Sequence, residues 1–294
     1  MRSILDRLVS FSAVSLLMFS VSAHSEQLVT QVTDNIFMLS GKGGNIGVMI
    51  GEDGTFIIDD QYAPATMEIL EAIKSNGGQS PQFLMNTHFH GDHTGGNENI
   101  GRSGTLIMAH DNVRKRLLEG YTIERFSMNQ GPAEKEALPV VTFNDEMSLH
   151  INGDSLRAHY VANAHTDGDS VIVFTQANVI HTGDIFFNGF YPFIDVPHGG
   201  SLSGMISAVD VILAMTNDTT KIMPGHGPLA TVQDLQNYRA MLATAHQRLL
   251  ALKQAGKSLE QAQLAAPLAD LQKQWGQVMF DSSTWIGVVY DGLN

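Results

Sequence analysis

The 294-residue chain contains no cysteine. That excludes disulfides, thiolate metal ligands, a cysteine nucleophile and a lipid-modified N-terminal cysteine. Cations are scarce: 17 Lys and Arg stand against 30 Asp and Glu, a formal net charge of −13. A chain this acidic repels phosphate backbones, and no Lys/Arg-rich stripe offsets the repulsion. Nucleic acid is therefore not an expected partner, and a small-molecule substrate is. After the first two dozen residues no apolar run approaches the roughly 20 residues that a spanning helix needs.

The amino terminus is the exception to that last absence. Arg2 and Arg7 precede an apolar stretch from Leu8 to Val21, and Val21-Ser22-Ala23 carries the small residues of a cleavage site. Serines interrupt the stretch, which is short for an anchor, so it reads as a secretory signal cleaved after Ala23 or Ser25. Residues 1–25 are thus expected to be a signal peptide. The mature protein is expected in the periplasm or outside the cell, with no stable membrane insertion once the signal is gone. The remainder, 26–294, is rich enough in apolar residues (43% of the chain) to bury one large core as a single domain.

Short apolar runs alternate with helical spacing along this remainder. Strands are expected at Gln27–Val32 and Asn35–Leu39, and a hairpin at Asn45–Ile50 and Thr55–Asp59 turning across Gly51-Glu52-Asp53-Gly54. Further strands follow at Phe83–Asn86 and Thr105–Ala109. Val141–Phe143, Met147–Ile151 and Leu156–Val161 read as an antiparallel set, and Ser170–Phe174 with Asn178–His181 as another pair. Ala63–Ser75, Val113–Leu118 and Ser201–Met215 carry helical periodicity. Glu119–Pro139 is polar and reads as a loop or short helix over whatever site the chain builds. Beyond Lys221–Met223, residues 232–275 form a helical extension, with Leu235, Tyr238, Leu242, Ala245 and Leu249 on one packing stripe.

The densest chemistry lies in Asn86-Thr87-His88-Phe89-His90-Gly91-Asp92-His93-Thr94-Gly95-Gly96-Asn97, which places three histidines and one aspartate within six positions. In an extended chain His88 and His90 point the same way. A turn at Gly91 then carries Asp92 and His93 toward a neighbouring point. Imidazole nitrogen and carboxylate oxygen suit zinc or a similar first-row ion. Two adjacent ions fit better than one, because four ligands cannot easily converge on one centre from so short a segment. The plain alternative is a His-rich polar surface loop.

The pattern H-x-H-x-D-H resembles that of the metallo-β-lactamase superfamily. Later residues follow in that family's order: His165 in Ala164-His165-Thr166-Asp167-Gly168-Asp169, Asp184 in His181-Thr182-Gly183-Asp184, and His226 in Pro224-Gly225-His226-Gly227. The resemblance implies an α/β fold, the αββα four-layer sandwich. It implies two Zn2+ per chain, with Fe or Mn as substitutes. His88, His90 and His165 would hold the first metal, Asp92, His93 and His226 the second, and Asp184 both. Asp59 matches an aspartate that braces the histidine loop from behind the ligands. The implied reaction is attack by a metal-bridging hydroxide on an activated carbonyl in a lactone, ester, thioester or β-lactam, with Asp92 and Asp184 as catalytic residues.

Departures from the family narrow this. Asp184 stands where the best-known zinc β-lactamases have cysteine, and no lysine occurs between Asp184 and Lys221 to bind a drug carboxylate. The full Asp/His set looks more like glyoxalase II and the lactonases. Alternatives within the family are an iron-dependent oxidoreductase such as a persulfide dioxygenase, and a phosphodiesterase. The aromatic run Phe186–Phe193, broken by Asn188-Gly189 and Tyr191-Pro192, is expected to be partly loop. Phe187, Asn188 and Tyr191 are its expected contributions to a substrate pocket, with His198 at the mouth. His181 reads equally as a brace for the ligands and as a satisfied buried histidine.

Overall fold

The protein is described by a computed structural model covering residues 27–293; the expected signal peptide lies outside them. The first sheet begins with β1 (Leu28–Gln31), β2 (Ile36–Ser40), β3 (Ile46–Gly51) and β4 (Gly54–Ile58), successively antiparallel, and continues in parallel through β5 (Phe83–Met85) and β6 (Leu106–His110). Between these strands run α1 (Thr66–Ser75), α2 (Gly91–Thr94) and α3 (Asn97–Arg102), and α4 (Asp111–Glu119) follows β6. A separate antiparallel hairpin, β7 (Tyr121–Ile123) and β8 (Met128–Gln130), precedes β9 (Val141–Phe143).

The second sheet holds β10 (Glu146–Ile151), β11 (Asp154–Tyr160), β12 (Ser170–Phe174) and β13 (Val179–His181) in antiparallel order. After α5 (Leu202–Ala214), β14 (Lys221–Met223) joins β13 in parallel. The chain ends in α6 (Val232–Gln254), α7 (Leu259–Leu264), α8 (Gln272–Trp275) and α9 (Ser282–Val289).

Three apolar clusters define four layers. Strand side chains alternate faces, so Phe56, Ile58, Met85 and Met108 point one way and Ile57, Leu84 and Ile107 the other. The first set meets Leu156, Ile172, Phe174 and Met223 of the second sheet to form the inner core. The second set meets Ile69 and Ile73 of α1 and Ile100 of α3. The far face of the second sheet, with Val171, Ile180 and Ile222, is covered by Val209 of α5, Leu242 of α6 and Trp285 of α9. This is the αββα sandwich.

Two expectations need correction. β9 does not pair with β10; it pairs in parallel with β6 at the edge of the first sheet, and the chain crosses to the second sheet at Asn144-Asp145. Spacing cannot distinguish these arrangements, because strand pairing is decided by which edge is open. Glu119–Pro139 is more than a loop or short helix: besides short 3-10 helices at Glu124–Phe126 and Lys135–Ala137 it contains the β7–β8 hairpin, whose three-residue strands are too short to show a period.

The carboxy-terminal helices belong to the core. A Thr231/Asp234 capping box starts α6, and Leu235, Tyr238, Leu242, Ala245 and Leu249 are all buried with the second sheet. Lys253 ties down the end of the chain by donating to the carbonyls of Tyr290, Asp291 and Leu293. No described helix is long and apolar enough to cross a membrane.

His110 yields a pH prediction. Its Nδ1 accepts from the Asn112 amide and caps α4, while Nε2 donates to the Asn144 carbonyl. Burial lowers its pKa, against the pull of that carbonyl. The folded value thus lies below the unfolded one of about 6.5, and between the two the unfolded chain binds more protons. Stability from this group is present above that window and lost as pH falls through it. His110→Asn keeps a good cap that does not titrate. Thermal melts are expected to fall less steeply for it from pH 7 to 5.5; an unchanged slope contradicts the assignment.

Candidate metal centre

The parallel pairs place four strand ends on one edge of the sandwich. β4 delivers Asp59, β5 delivers the histidine loop, β13 leads to Asp184 and β14 to His226, while His165 enters just before β12. The histidine loop is not the extended segment expected. β5 stops at Met85, irregular backbone carries His88 and His90, and the short helix α2 presents Asp92 and His93. His88 and His90 converge nonetheless, with ring centroids 4.8 Å apart.

All seven expected ligand residues meet there, in two groups whose candidate ligand atoms lie within 4.8 Å of one another. His88, His90, His165 and Asp184 form one, and Asp92, His93, Asp184 and His226 the other, so Asp184 is shared. Its Oδ2 lies 3.9 Å from His88 Nε2, 3.5 Å from His165 Nε2 and 3.4 Å from His226 Nε2, and its Oδ1 lies 3.0 Å from His93 Nε2. Asp92 Oδ2 stands 3.3 Å from His226 Nε2 and 3.7 Å from His93 Nε2.

The far nitrogens of four rings are anchored. His88 Nδ1 meets the Thr87 hydroxyl at 3.0 Å, which itself donates to Asp59 Oδ2. His93 Nδ1 donates to Asp59 Oδ2 at 2.7 Å, His90 Nε2 to Asp195 Oδ2 at 2.9 Å, and His165 Nδ1 to the Phe193 carbonyl at 2.9 Å. These acceptors fix the tautomers. His90 Nδ1 and His165 Nε2 are then both bare lone pairs, yet they face each other at 2.9 Å. Buried His88 Nε2 has no hydrogen-bond partner among the described residues. Converging bare nitrogens beside carboxylates suit a divalent cation and little else.

Charge agrees with this. Burial, helped by the neighbouring histidines, holds His88 well below its usual pKa, and burial brings His165 down to about 4. Both rings offer neutral donors at neutral pH, as ligation requires. Burial works against ionised Asp184 and Asp92, but His226 and His93 hold Asp184 well below the carboxylate range, and His93 leads in bringing Asp92 to about 2. In turn, against the effect of burial, the carboxylates raise His93 well above its usual value and His226 to about 9. The protons drawn onto these two rings are the ones a bound cation would displace.

Asp59 occupies the bracing position expected. It sits at φ 62° and takes the Thr87 amide and hydroxyl and His93 Nδ1 on one carboxylate. Asp60 has a different task, accepting from the Gly96 amide. His181 is a satisfied buried histidine, bonded to the Asn45 carbonyl and the Gly183 amide. Sequence reasoning missed Asp195, which is 1% exposed and joins His90 to His198 Nδ1 at 2.7 Å. It missed Asp169 too, which accepts the His165 and Thr166 amides and holds the His165 turn. The only signal for either was an acidic residue near a histidine, which is common.

Four pocket residues were expected. Phe187 lines a cavity of about 250 Å³ over the cluster and stacks on His226 at 5.1 Å. Tyr191 does not: it is buried against Trp285 at 4.4 Å, with its hydroxyl at Ser282, because the Tyr-Pro break turns it into the C-terminal core. Asn188 braces the His226 turn, its backbone N–H donating to the His226 carbonyl and its side-chain amide to the Pro228 carbonyl. His198 lines a neighbouring groove rather than this cavity.

Close approach of backbone to ligand explains one glycine. A Cβ on Gly44 would stand 2.0 Å from the His93 ring. Gly44→Ala must displace that ring, and an affinity loss of about 10-fold or more is expected, read by chelator competition. Wild-type affinity would contradict this packing.

Residues 39–226, more than half of the chain, match the model of the metallo-beta-lactamase superfamily. The chain belongs to the metallo-β-lactamase superfamily. Solved structures of similar fold include a metallo-beta-lactamase from Pontibacter korlensis, at 18% identity and TM-score 0.62, covering 74% of this chain and 99% of that one. DIM-1 metallo-beta-lactamase gives 18% and 0.60, covering 75% and 98%. The stereoselective inverting sec-alkylsulfatase Pisa1 from Pseudomonas sp. gives 16% and 0.70, covering 92% of this chain but 51% of its own. Identities this low establish the shared fold alone. Metallo-β-lactamase superfamily members are mostly metal-dependent hydrolases, and the His/Asp cluster suits divalent ions.

Proposed function

We propose that this protein is an exported, dinuclear zinc hydrolase acting on a small molecule with an activated carbonyl. One observation carries the reading: a single buried carboxylate, Asp184, is shared by two groups of ligand-type side chains. His88, His90 and His165 would hold one ion, Asp92, His93 and His226 the other, and Asp184 both. Bound there, such ions supply Lewis acidity and a water acidified to near neutrality. The chain's own residues do the rest. Asp92 keeps 22% of its side chain exposed and faces the cavity, which places a carboxylate to take a proton from the attacking water. Phe187 and Phe193 wall the cavity and limit access of bulk water.

The test is elemental analysis of the purified protein, followed by a panel of lactone, ester, thioester, β-lactam, phosphodiester and sulfate-ester substrates. Two zinc ions per chain and turnover of a carbonyl substrate are expected. No turnover of any by the zinc-loaded protein would sink the reading. Oxygen consumption with a persulfide by the iron-loaded form would replace it with oxidoreduction.

A further inference from the structure

The cavity over the cluster has two unlike sides. One is the ligand side, with His90, Asp92, Asp184 and His226, and Tyr62 at its edge. The other is apolar: Ile123, Phe126 and Met128 from the β7–β8 hairpin, Phe187 and Phe193 from the aromatic run, and Met279 from the segment before α9. Among the described residues, no lysine or arginine lines it. The Arg125 guanidinium, next to Phe126 in the chain, is turned elsewhere: it lies over the Phe280 ring, 5.7 Å from its centroid, and lines the adjoining groove.

We infer that the site selects substrates whose non-reacting part is an uncharged apolar chain or ring, received between the β7–β8 hairpin and Met279. The inference rests on the hydrolase reading above and specifies its substrate class. An anionic substituent received on the apolar side would lose its hydration against Ile123, Phe126, Met128 and Met279 and meet no lysine or arginine there. An apolar one gains from burial at no such cost.

The walls also suit an apolar guest in detail. Phe126 packs edge-on against Phe193 at 4.9 Å and near-parallel to Phe280 at 6.3 Å, which fixes its ring at the mouth. Phe126 and Met279 remain 44% and 39% exposed, so both keep apolar surface to offer a ligand. Methionine at two wall positions, 128 and 279, lets the cavity fit chains of differing shape. At about 250 Å³ the cavity is at the small end for ligand sites, which favours a short chain or a single ring.

The experiment uses the zinc-loaded protein and p-nitrophenyl esters from acetate to octanoate, with the hemisuccinate as the anionic member. Calorimetric binding of the matching primary amides provides a readout independent of turnover. kcat/KM and amide affinity are expected to rise roughly fourfold per methylene until the cavity is full, with the succinyl compounds poorest. Phe126→Ala, at a half-exposed position, is expected to lower the octanoyl-to-acetyl ratio by at least about fivefold. Met279→Gln, which keeps the length but adds an amide, should lower it too. A flat chain-length profile or a preference for succinyl overturns the inference while leaving a working hydrolase in place. Amides that bind with the expected slope, with no ester cleaved, support the inference and remove the hydrolase reading instead. Neither slope nor turnover removes both.

Discussion

Replacing Asp184 with alanine is expected to lower kcat/KM by more than about 100-fold, the upper end of the loss when a residue merely braces a ligand. Asp184 is the one side chain common to both ligand groups. Its Oδ2 faces His88, His165 and His226 within 3.9 Å, and its Oδ1 faces His93. Without it the His88 and His165 rings lose the carboxylate that faces their Nε2 atoms, and His93 and His226 lose the strongest of their anionic neighbours. Elemental analysis after dialysis should show the metal content fall from the proposed two ions per chain to one or fewer. Asp184→Asn keeps the volume and one acceptor oxygen and should lie between. A variant that retains two ions and wild-type turnover would refute the shared-carboxylate arrangement.

Asp59→Ala is expected to act on both stability and metal affinity. Three buried donors converge on this carboxylate: the Thr87 amide, the Thr87 hydroxyl and His93 Nδ1–H. Leaving each unpaired costs about 1–3 kcal/mol, so a loss of about 3 kcal/mol or more is expected. For a chain of this size that is a fall in Tm of roughly 5–10 °C. Alanine also tolerates φ 62° less well than aspartate does. Freed from its anchor, His93 should bind metal about 10–100-fold more weakly. Asp59→Asn accepts the φ angle and retains one acceptor, so it separates the backbone contribution from the hydrogen bonds. Melts within a degree of wild type would show that Asp59 does not brace the loop.

Much of the site was legible because its signals are local. Three histidines and an aspartate within six positions announce a metal loop without knowledge of the fold, and the glycines around His226 allow the close backbone approach that a ligand loop needs. The sheets were legible through short apolar runs such as Phe56-Ile57-Ile58, buried on both faces and bounded by polar and glycine turns. Errors arose where periodicity carries no information. β7 and β8 are three residues each, too short for a period, so the hairpin was missed, and β9 was assigned to the wrong sheet because spacing does not show which edge is open. Tyr191 was misplaced because an aromatic run can feed either a pocket or a core, and the turn at Pro192 sends it to the core.

The amino-acid sequence by itself determined which side chains could ligate, the order in which they appear and the strands that carry them. Those properties depend on residue type and on spacing along one segment. Only the tertiary structure decided which nitrogen of each ring is bare, that Asp195 anchors His90 from 105 positions away, and that a hairpin and the chain's end together line an apolar cavity. Each of these depends on segments distant in the chain arriving at one place, and the strands' open edges and apolar faces direct that convergence.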